Sequence, residues 1–449
     1  MAADRSALPI PGPERPFTFP DIRRRTLGNG LRVWTVEHRR VPLVSVIVLV
    51  PAGGSADPPD RPGLAAISAD MLDEGCGDLS ALDVHDALGR IGAHLDTDVG
   101  YDSTLIGLTV LARFLDRGLA LLADIVTRPR LEQREFDRVR DLRVNRLLQL
   151  RDLPPAVADR VFAQLLYQNH PYGHLPIGTE RALRAVTLRD VMTFHRRVFA
   201  PGHATLIAVG DATHDELTAA AERAFRAWTA AKETEPLPDP DAFPAAAPPV
   251  SRRVLVHRAD AAQSELRIGH VALSRRTPDY HALLVLNMIL GGQFVSRVNM
   301  NLREQKGYTY GARTAFDFRR APGPFVLQAS VQSNATAEAA EEAIAEIAAI
   351  RGERPVQPHE LALGRAALTR GYPRSFETAE QVARSAAQLA LYGLPDDYFT
   401  TFVPTVLKLT PEDITRAAAQ HLDPERLVTV IVGDRERVPG EVMLVMDSP

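Results

Sequence analysis

A strand ending in Val-Gly-Asp occurs twice, as HATLIAVGD stopping at Asp211 and as RLVTVIVGD stopping at Asp434, 223 residues later in a chain of 449. A repeat at about half the chain length points to two copies of one folding unit, each burying its own apolar faces, against the alternative of two unrelated α/β domains. Other pairs keep the same order. LRVWTVEH followed by VSVIVLVPAGG is matched by RRVLVHRA followed by SELRIGHVAL, and all four read as strands. LDRGLALLADIVTRPRLEQREFDRVRDLRVNRL and TAEAAEEAIAEIAAIRGERPVQPHELALGRAAL each read as a helix, a proline-bearing loop and a second helix. Between the copies, ETEPLPDPDAFPAAAPPV over residues 233–250 has no apolar periodicity and reads as a linker. The expectation is an α+β protein of two homologous halves, each a mixed, mostly antiparallel sheet with helices packed on one face. An extended arm over 1–24 precedes a first half over 25–232, and the second half runs over 251–449.

Composition narrows the function. Lys and Arg number 52 against 56 Asp and Glu, a formal net charge of -4, so no global pull toward nucleic acid exists. The single cysteine, Cys76, excludes an intrachain disulfide and a cysteine-rich zinc site. The opening MAADRSALPIPGPERPFTFP lacks the apolar centre of a secretion signal, and no later run reads as long enough to span a membrane. These features lead to an expectation of a cytoplasmic protein, or a periplasmic one if a leader has been removed.

The stretch PGLAAISADMLDEG, residues 62–75, reads as a short helix stopped by glycine, with Leu64, Ile67, Met71 and Leu72 along one face. Its positions 66, 69 and 70 lie one turn apart, where two histidines and a glutamate could converge on a metal, yet they hold Ala66, Ala69 and Asp70. A second unusual segment is LGGQFVSRVNMNLREQKGYTYGAR, residues 290–313. Its paired glycines end one helix, and Phe294, Val298 and Leu302 recur at helical intervals in a second piece. Gly307 and Gly311 then bracket YTY, and Arg303 and Tyr310 stand seven residues apart. A guanidinium and a phenol together suit a carbonyl or carboxylate that gains negative charge during reaction.

The second segment resembles the glycine-rich loop and LRE…G…Y motif in the carboxy-terminal half of the pitrilysin/insulinase family of zinc peptidases, which includes mitochondrial processing peptidase. That family opens its metal helix with GLAH and continues to H-x-x-E-H. Aligned on Gly63-Leu64-Ala65, the first histidine falls on Ala66, the glutamate on Ala69 and the second histidine on Asp70. The third ligand, a glutamate about 75 residues on, falls within RDLRVNRLLQL, with Arg146 favoured and Asn145 beside it. HPYG, His170 to Gly173, matches another family landmark, so the resemblance runs from about residue 25 to 435.

The resemblance implies a degenerate zinc site and no metal in this chain. Alanine offers no lone pair, one aspartate does not hold a catalytic zinc alone, and no general base stands at position 69. His170 and His174 have i, i+4 spacing, but Pro171 and Gly173 make the segment a turn rather than a helix face. Asp70 and Arg146 are expected to pair where the metal stood. The family's two-chain members further imply a zinc-bearing partner with H-x-x-E-H, a peptide substrate, and Arg303 and Tyr310 acting in trans in the partner's site. Gly291, Gly292 and Tyr308 are then candidate substrate contacts, with Tyr308 the competing tyrosine; the glycines serve equally well to end a helix. Nucleic acid and membrane are not expected partners. The alternatives are a non-catalytic scaffold or peptide-binding subunit, and an enzyme with a different metal site.

Overall fold

The computed structural model describes residues 16–229, 236–239, 242–249, 252–438 and the strand 444–447. The first sheet is built from β1 (Arg23–Thr26), β2 (Arg32–Glu37), β3 (Leu43–Val50), β6 (His94–Val99), β7 (Thr104–Leu111) and β8 (Thr205–Gly210). Its order is β1-β2-β8-β3-β7-β6, and the short β4 (Gly75–Cys76) and β5 (Leu79–Ser80) pair separately. The second sheet uses β9 (Arg253–His257), β10 (Gln263–Val271), β11 (Thr309–Phe316), β12 (Pro324–Gln332), β13 (Val428–Gly433) and β14 (Leu444–Asp447). Its order, read from the matching edge, is β14-β9-β13-β10-β12-β11.

The sheets therefore superimpose strand on strand. The two strands ending in Val-Gly-Asp, β8 and β13, run parallel to β2 and β9 and antiparallel to β3 and β10. The edge strands differ: β1 is antiparallel to β2 and precedes it, whereas β14 is parallel to β9 and comes from the end of the chain. Each sheet is mixed and mostly antiparallel, as the sequence leads one to expect.

Period-two alternation explains how each sheet is covered. Val44, Val46, Val48 and Val50 of β3 face the first half's own helices, meeting Ile67, Leu119, Leu122 and Phe136. Ile47 and Leu49 point the other way, into a separate core shared with Val382, Ala383 and Ala386 of the helix Ala379–Tyr392. The mirrored exchange closes the second sheet. Val157, Val161 and Phe162 of the helix Pro154–Tyr167 pack on Val254, Val326 and Val430. Each half thus carries its own helices on one face, and lends one helix to the outer face of its twin. That loan was not foreseen, and it ties the halves into one packed body.

Of the arm expected over 1–24, residues 1–15 lie outside the described residues. Beyond them Phe17 stacks on Phe376 and Phe19 packs edge-on to it, so residues 16–22 are pinned to the second half. The linker expected over 233–250 is described at 236–239 and 242–249 only.

The helical stretch Tyr280–Gln305 corrects one sequence expectation, for its length and mean hydropathy of 1.2 suffice for a membrane span. Leu283, Leu286, Leu290, Val298 and Leu302 bury its apolar side in the second half's core, which accounts for the hydropathy. His281 on this stretch packs against Tyr398 and Phe402, and its Nε2 has no hydrogen-bond partner. Burial, with Arg275 adding repulsion, lowers its pKa to about 4. The unfolded chain therefore binds the extra proton between about 6.5 and about 4, and stability is lost as pH falls through that window. We expect His281→Phe to remove roughly 2 kcal/mol of that acid destabilisation, after allowance for partial solvent exposure, read as the difference in urea midpoints at the two ends of the window.

Candidate functional site

The helix Leu64–Asp70 begins from Gly63, whose φ of 99° is left-handed. Asp57 caps it: its carboxylate accepts the N–H groups of Gly63 at 2.7 Å and Ala65 at 2.6 Å. Behind it stands Gly178, where a Cβ would lie 2.4 Å from the Pro62 carbonyl oxygen. The helix start is therefore fixed from both sides, and Ala66 and Ala69 are buried methyl groups.

Asp70 is paired, though not with the residue the count indicates. Arg143 Nη1 donates to Asp70 Oδ2 at 2.8 Å, whereas Arg146 and Asn145 are exposed. Positions 143 and 146 lie within one turn on the helix Gln133–Arg151, so both reach the same side, and the guanidinium one turn nearer the amino terminus makes the bond. Asp70, Asp73, Glu74, Arg143 and Arg146 line a cavity of about 370 Å³ beside β6. Burial pushes the Asp70 carboxyl up, against the pull of Arg143. These residues do not fit zinc: the only carboxylate at a ligand position is held by a cation, and a further cation shares the cavity. Among the described residues no group of three or more His, Cys, Asp and Glu could hold a metal ion.

The HPYGH segment has a different use. His174 Nε2 lies 3.1 Å from Asp57 Oδ2 and so supports the cap of the alanine-bearing helix. His170 accepts the Tyr172 N–H at 3.0 Å, and Tyr172 donates its hydroxyl to Asp102 at 2.5 Å while accepting the Ala321 N–H at 3.1 Å. Asp102 also accepts the Arg320 N–H at 2.7 Å, and Arg319 lies over the Tyr101 ring at 3.6 Å. This landmark is where the first half grips the β11–β12 loop of the second.

Packed against the edge strand β11 of the same sheet, Gly291 and Gly292 and then Arg303 fall on π-wound turns, Met288–Gly292 and Met300–Gln305. Gly291 is required by packing, since a Cβ there would stand 2.5 Å from the Thr314 backbone nitrogen. Gly292 is exposed. Phe294, grouped with Val298 and Leu302 by spacing, instead faces solvent at 61% exposure because the glycines break the helix before it. Arg303 lies over the Phe294 ring at 4.0 Å, with Glu304 at 3.4 Å from its Nη1.

Tyr310 is 91% exposed. It sits in a bulge of the edge strand β11, between the pairs Thr309↔Val331 and Ala312↔Ala329. Tyr308, two residues before, turns inward onto the second half's core. Asn299, which sequence reasoning missed, joins the two parts of this edge. Its Nδ2 donates to Gln293 O at 3.2 Å and its Oδ1 accepts the Ala312 N–H at 2.8 Å. Arg297, also missed, anchors the loop through Glu360 at 2.7 Å and Arg354 O at 2.6 Å. Neither residue type signals such a role from sequence, since each acts through a contact distant along the chain.

Comparison with known proteins bears on the family and the fold. Residues 32–179 match the model described as insulinase (peptidase family M16), and residues 185–368 match that of the peptidase M16 inactive domain. An uncharacterized zinc protease of Mycobacterium tuberculosis is 27% identical over 323 residues, covering 72% of this chain and 73% of its own. Another, from Streptomyces coelicolor, is 25% identical over 297 residues, covering 64% and 63%. A crystal structure described as a peptidase M16 inactive domain from Pseudomonas fluorescens has a TM-score of 0.85 at 22% identity, covering 94% of this chain and all of that one. A protease from Helicobacter pylori gives 0.84 at 20% identity, covering 92% and 99%, and both structures speak for the fold alone. With duplicated sheets, matching models over most of its length and no H-x-x-E-H in its sequence, the chain belongs to the pitrilysin/insulinase family of peptidases, and to its type without that motif.

Proposed function

We propose that this chain is the zinc-free subunit of a two-chain zinc peptidase. It supplies Arg303, Tyr310 and half of a substrate chamber to a partner that carries H-x-x-E-H. The observation that carries this reading is Tyr310, presented to solvent on a bulge at a sheet edge. Among the described residues no group hydrogen-bonds that phenol, whereas a carbonyl oxygen gaining charge in a facing site would use it. Arg303, stacked on Phe294, would hold the peptide backbone while Tyr310 donates its hydroxyl to the developing oxyanion. Phe294, Val295 and Met300 are exposed around them and offer apolar surface for a partner or peptide. The same surface serves the second reading, a scaffold or peptide-binding subunit.

The test is cleavage of a quenched peptide library by this chain, by the H-x-x-E-H chain and by their mixture. Activity confined to the mixture and abolished by chelation supports the proposal. A stable complex with no gain in cleavage supports the scaffold. The metal side of the proposal predicts that this chain, loaded and desalted, retains far less than about one equivalent of zinc, whereas Ala66→His with Asp70→His and Arg146→Glu raises retention toward about one. Tight stoichiometric retention by the unaltered chain would instead point to a metal site elsewhere.

A further inference from the structure

A cavity of about 670 Å³ lies where the two halves meet the segment between them, and it shares no lining residue with the cavity beside Asp70 or with the one under the glycine loop. Leu166 and Tyr167 line it from the helix that the first half lends to the second sheet. Phe243 to Pro249 form another wall, and Ala321 and Pro322 of the β11–β12 loop a third. These walls are mostly apolar.

The charge around them is one-sided. Arg252, Arg320 and Arg426 all line the cavity, and no carboxylate does. Among the described residues none of these three guanidinium groups makes an ion pair or a side-chain hydrogen bond. Acids next to these walls have partners of their own: Asp102 accepts from Tyr172 and from the Arg320 N–H, and Asp317 pairs with Arg319 at 2.6 Å. Asp423 accepts the Glu425 N–H at 3.0 Å.

Two histidines complete the lining. His270 uses both ring nitrogens, donating from Nδ1 to Val271 O at 2.9 Å and accepting the Asp423 N–H at 3.3 Å. His170 accepts the Tyr172 N–H at Nδ1, which assigns the ring proton to Nε2 as a further donor. Burial, with Arg319 adding repulsion, lowers the His170 pKa and favours this neutral form. The site therefore presents donors and positive charge over apolar walls, within the usual volume of a small-molecule pocket. Guanidinium groups match the planar or tetrahedral oxygens of a carboxylate or phosphate.

We propose that this cavity binds a small organic anion, a carboxylate or phosphate carried on an apolar body. Such a ligand touches both halves and the segment connecting them, so it stabilises their docked arrangement by mass action. The test is calorimetric titration of the full chain with decyl phosphate and with decanoate, both below their micelle concentrations, against decanol and inorganic phosphate. Arg252 and Arg426 are exposed, so the Arg252→Gln/Arg426→Gln variant is expected to keep its circular dichroism spectrum. One saturable site for either anion, weakened at least about tenfold in that variant and for decanol and inorganic phosphate, supports the proposal. The tighter of the two anions identifies the headgroup. Equal affinity for decanol, equal affinity for inorganic phosphate, unchanged binding by the variant, or no saturable heat would each overturn it.

Discussion

In the reconstituted pair, Tyr310→Phe is expected to lower kcat/KM by roughly 10²–10³-fold, with the loss in kcat rather than KM. The hydroxyl is removed and nothing else: the ring remains on its bulge, and its 91% exposure leaves no internal contact to disturb. Stability of this chain should stay within about 0.5 kcal/mol of the parent, as for other surface substitutions. Arg303→Ala should also lower activity, but with a larger share in KM, because a guanidinium that holds the peptide acts before as well as during reaction. Tyr308→Phe is the internal control. Its ring packs on the second half's core, so a small effect there beside a large one at 310 distinguishes a positioned phenol from general disturbance of the strand. Equal cleavage by parent and Tyr310→Phe mixtures would remove the hydroxyl from the chemistry.

The second large effect concerns the lent helices. Phe162 is 6% exposed on the helix Pro154–Tyr167 and packs within the core that also holds Val254, Val326 and Val430 of the second sheet. The sheet is shaped to receive it: a Cβ on Gly269 would lie 3.0 Å from Phe162 Cζ and 1.9 Å from Phe325 O. Phe162→Ala should cost about 3–5 kcal/mol, the removal of a buried aromatic ring with the cavity it leaves. The readout separates exchanged from independent halves. Trp34 and Trp228, the only tryptophans, both lie in the first half, so fluorescence follows that half while far-ultraviolet circular dichroism follows the whole. Exchanged helices predict that both signals shift together to lower denaturant. Two separated transitions would mean that the halves unfold independently.

Much of this architecture was legible because β-strand patterning is local. The valine-rich runs at Thr205–Gly210 and Val428–Gly433 occur at corresponding places in each sheet, and their Gly-Asp stops align as the repeat implies. The helix Ala379–Tyr392 was not singled out, because its small residues give no sign that they pack against a distant sheet rather than their own. The exchange is a property of packing between elements far apart in the sequence, such as Phe162 with Val254 and Ala383 with Ile47.

At the site, sequence reasoning located the alanine-bearing helix but named Arg146 where Arg143 forms the bond. Residues three apart share a helix face, and counting does not reveal which long side chain reaches. Phe294 was misplaced for a related reason: the second helical piece begins only at Arg297, so Phe294 precedes it and does not share the face of Val298 and Leu302. Arg303 and Tyr310 stand out in the sequence because they belong to a recognisable motif. The contacts that fix their surroundings, through Asn299 and Arg297, become visible only once β11 and the helix Pro358–Thr369 are packed against the loop.

The central claim, that Tyr310 works inside another chain's metal site, is tested most directly by photo-crosslinking from that position. A benzophenone amino acid replacing Tyr310 in this chain is irradiated with the H-x-x-E-H chain, and the joined peptides are read by mass spectrometry. The account predicts cross-links to the partner peptide that contains H-x-x-E-H, diminished by a competing substrate peptide. Cross-links only within this chain, or to a partner surface remote from its metal helix, would contradict it.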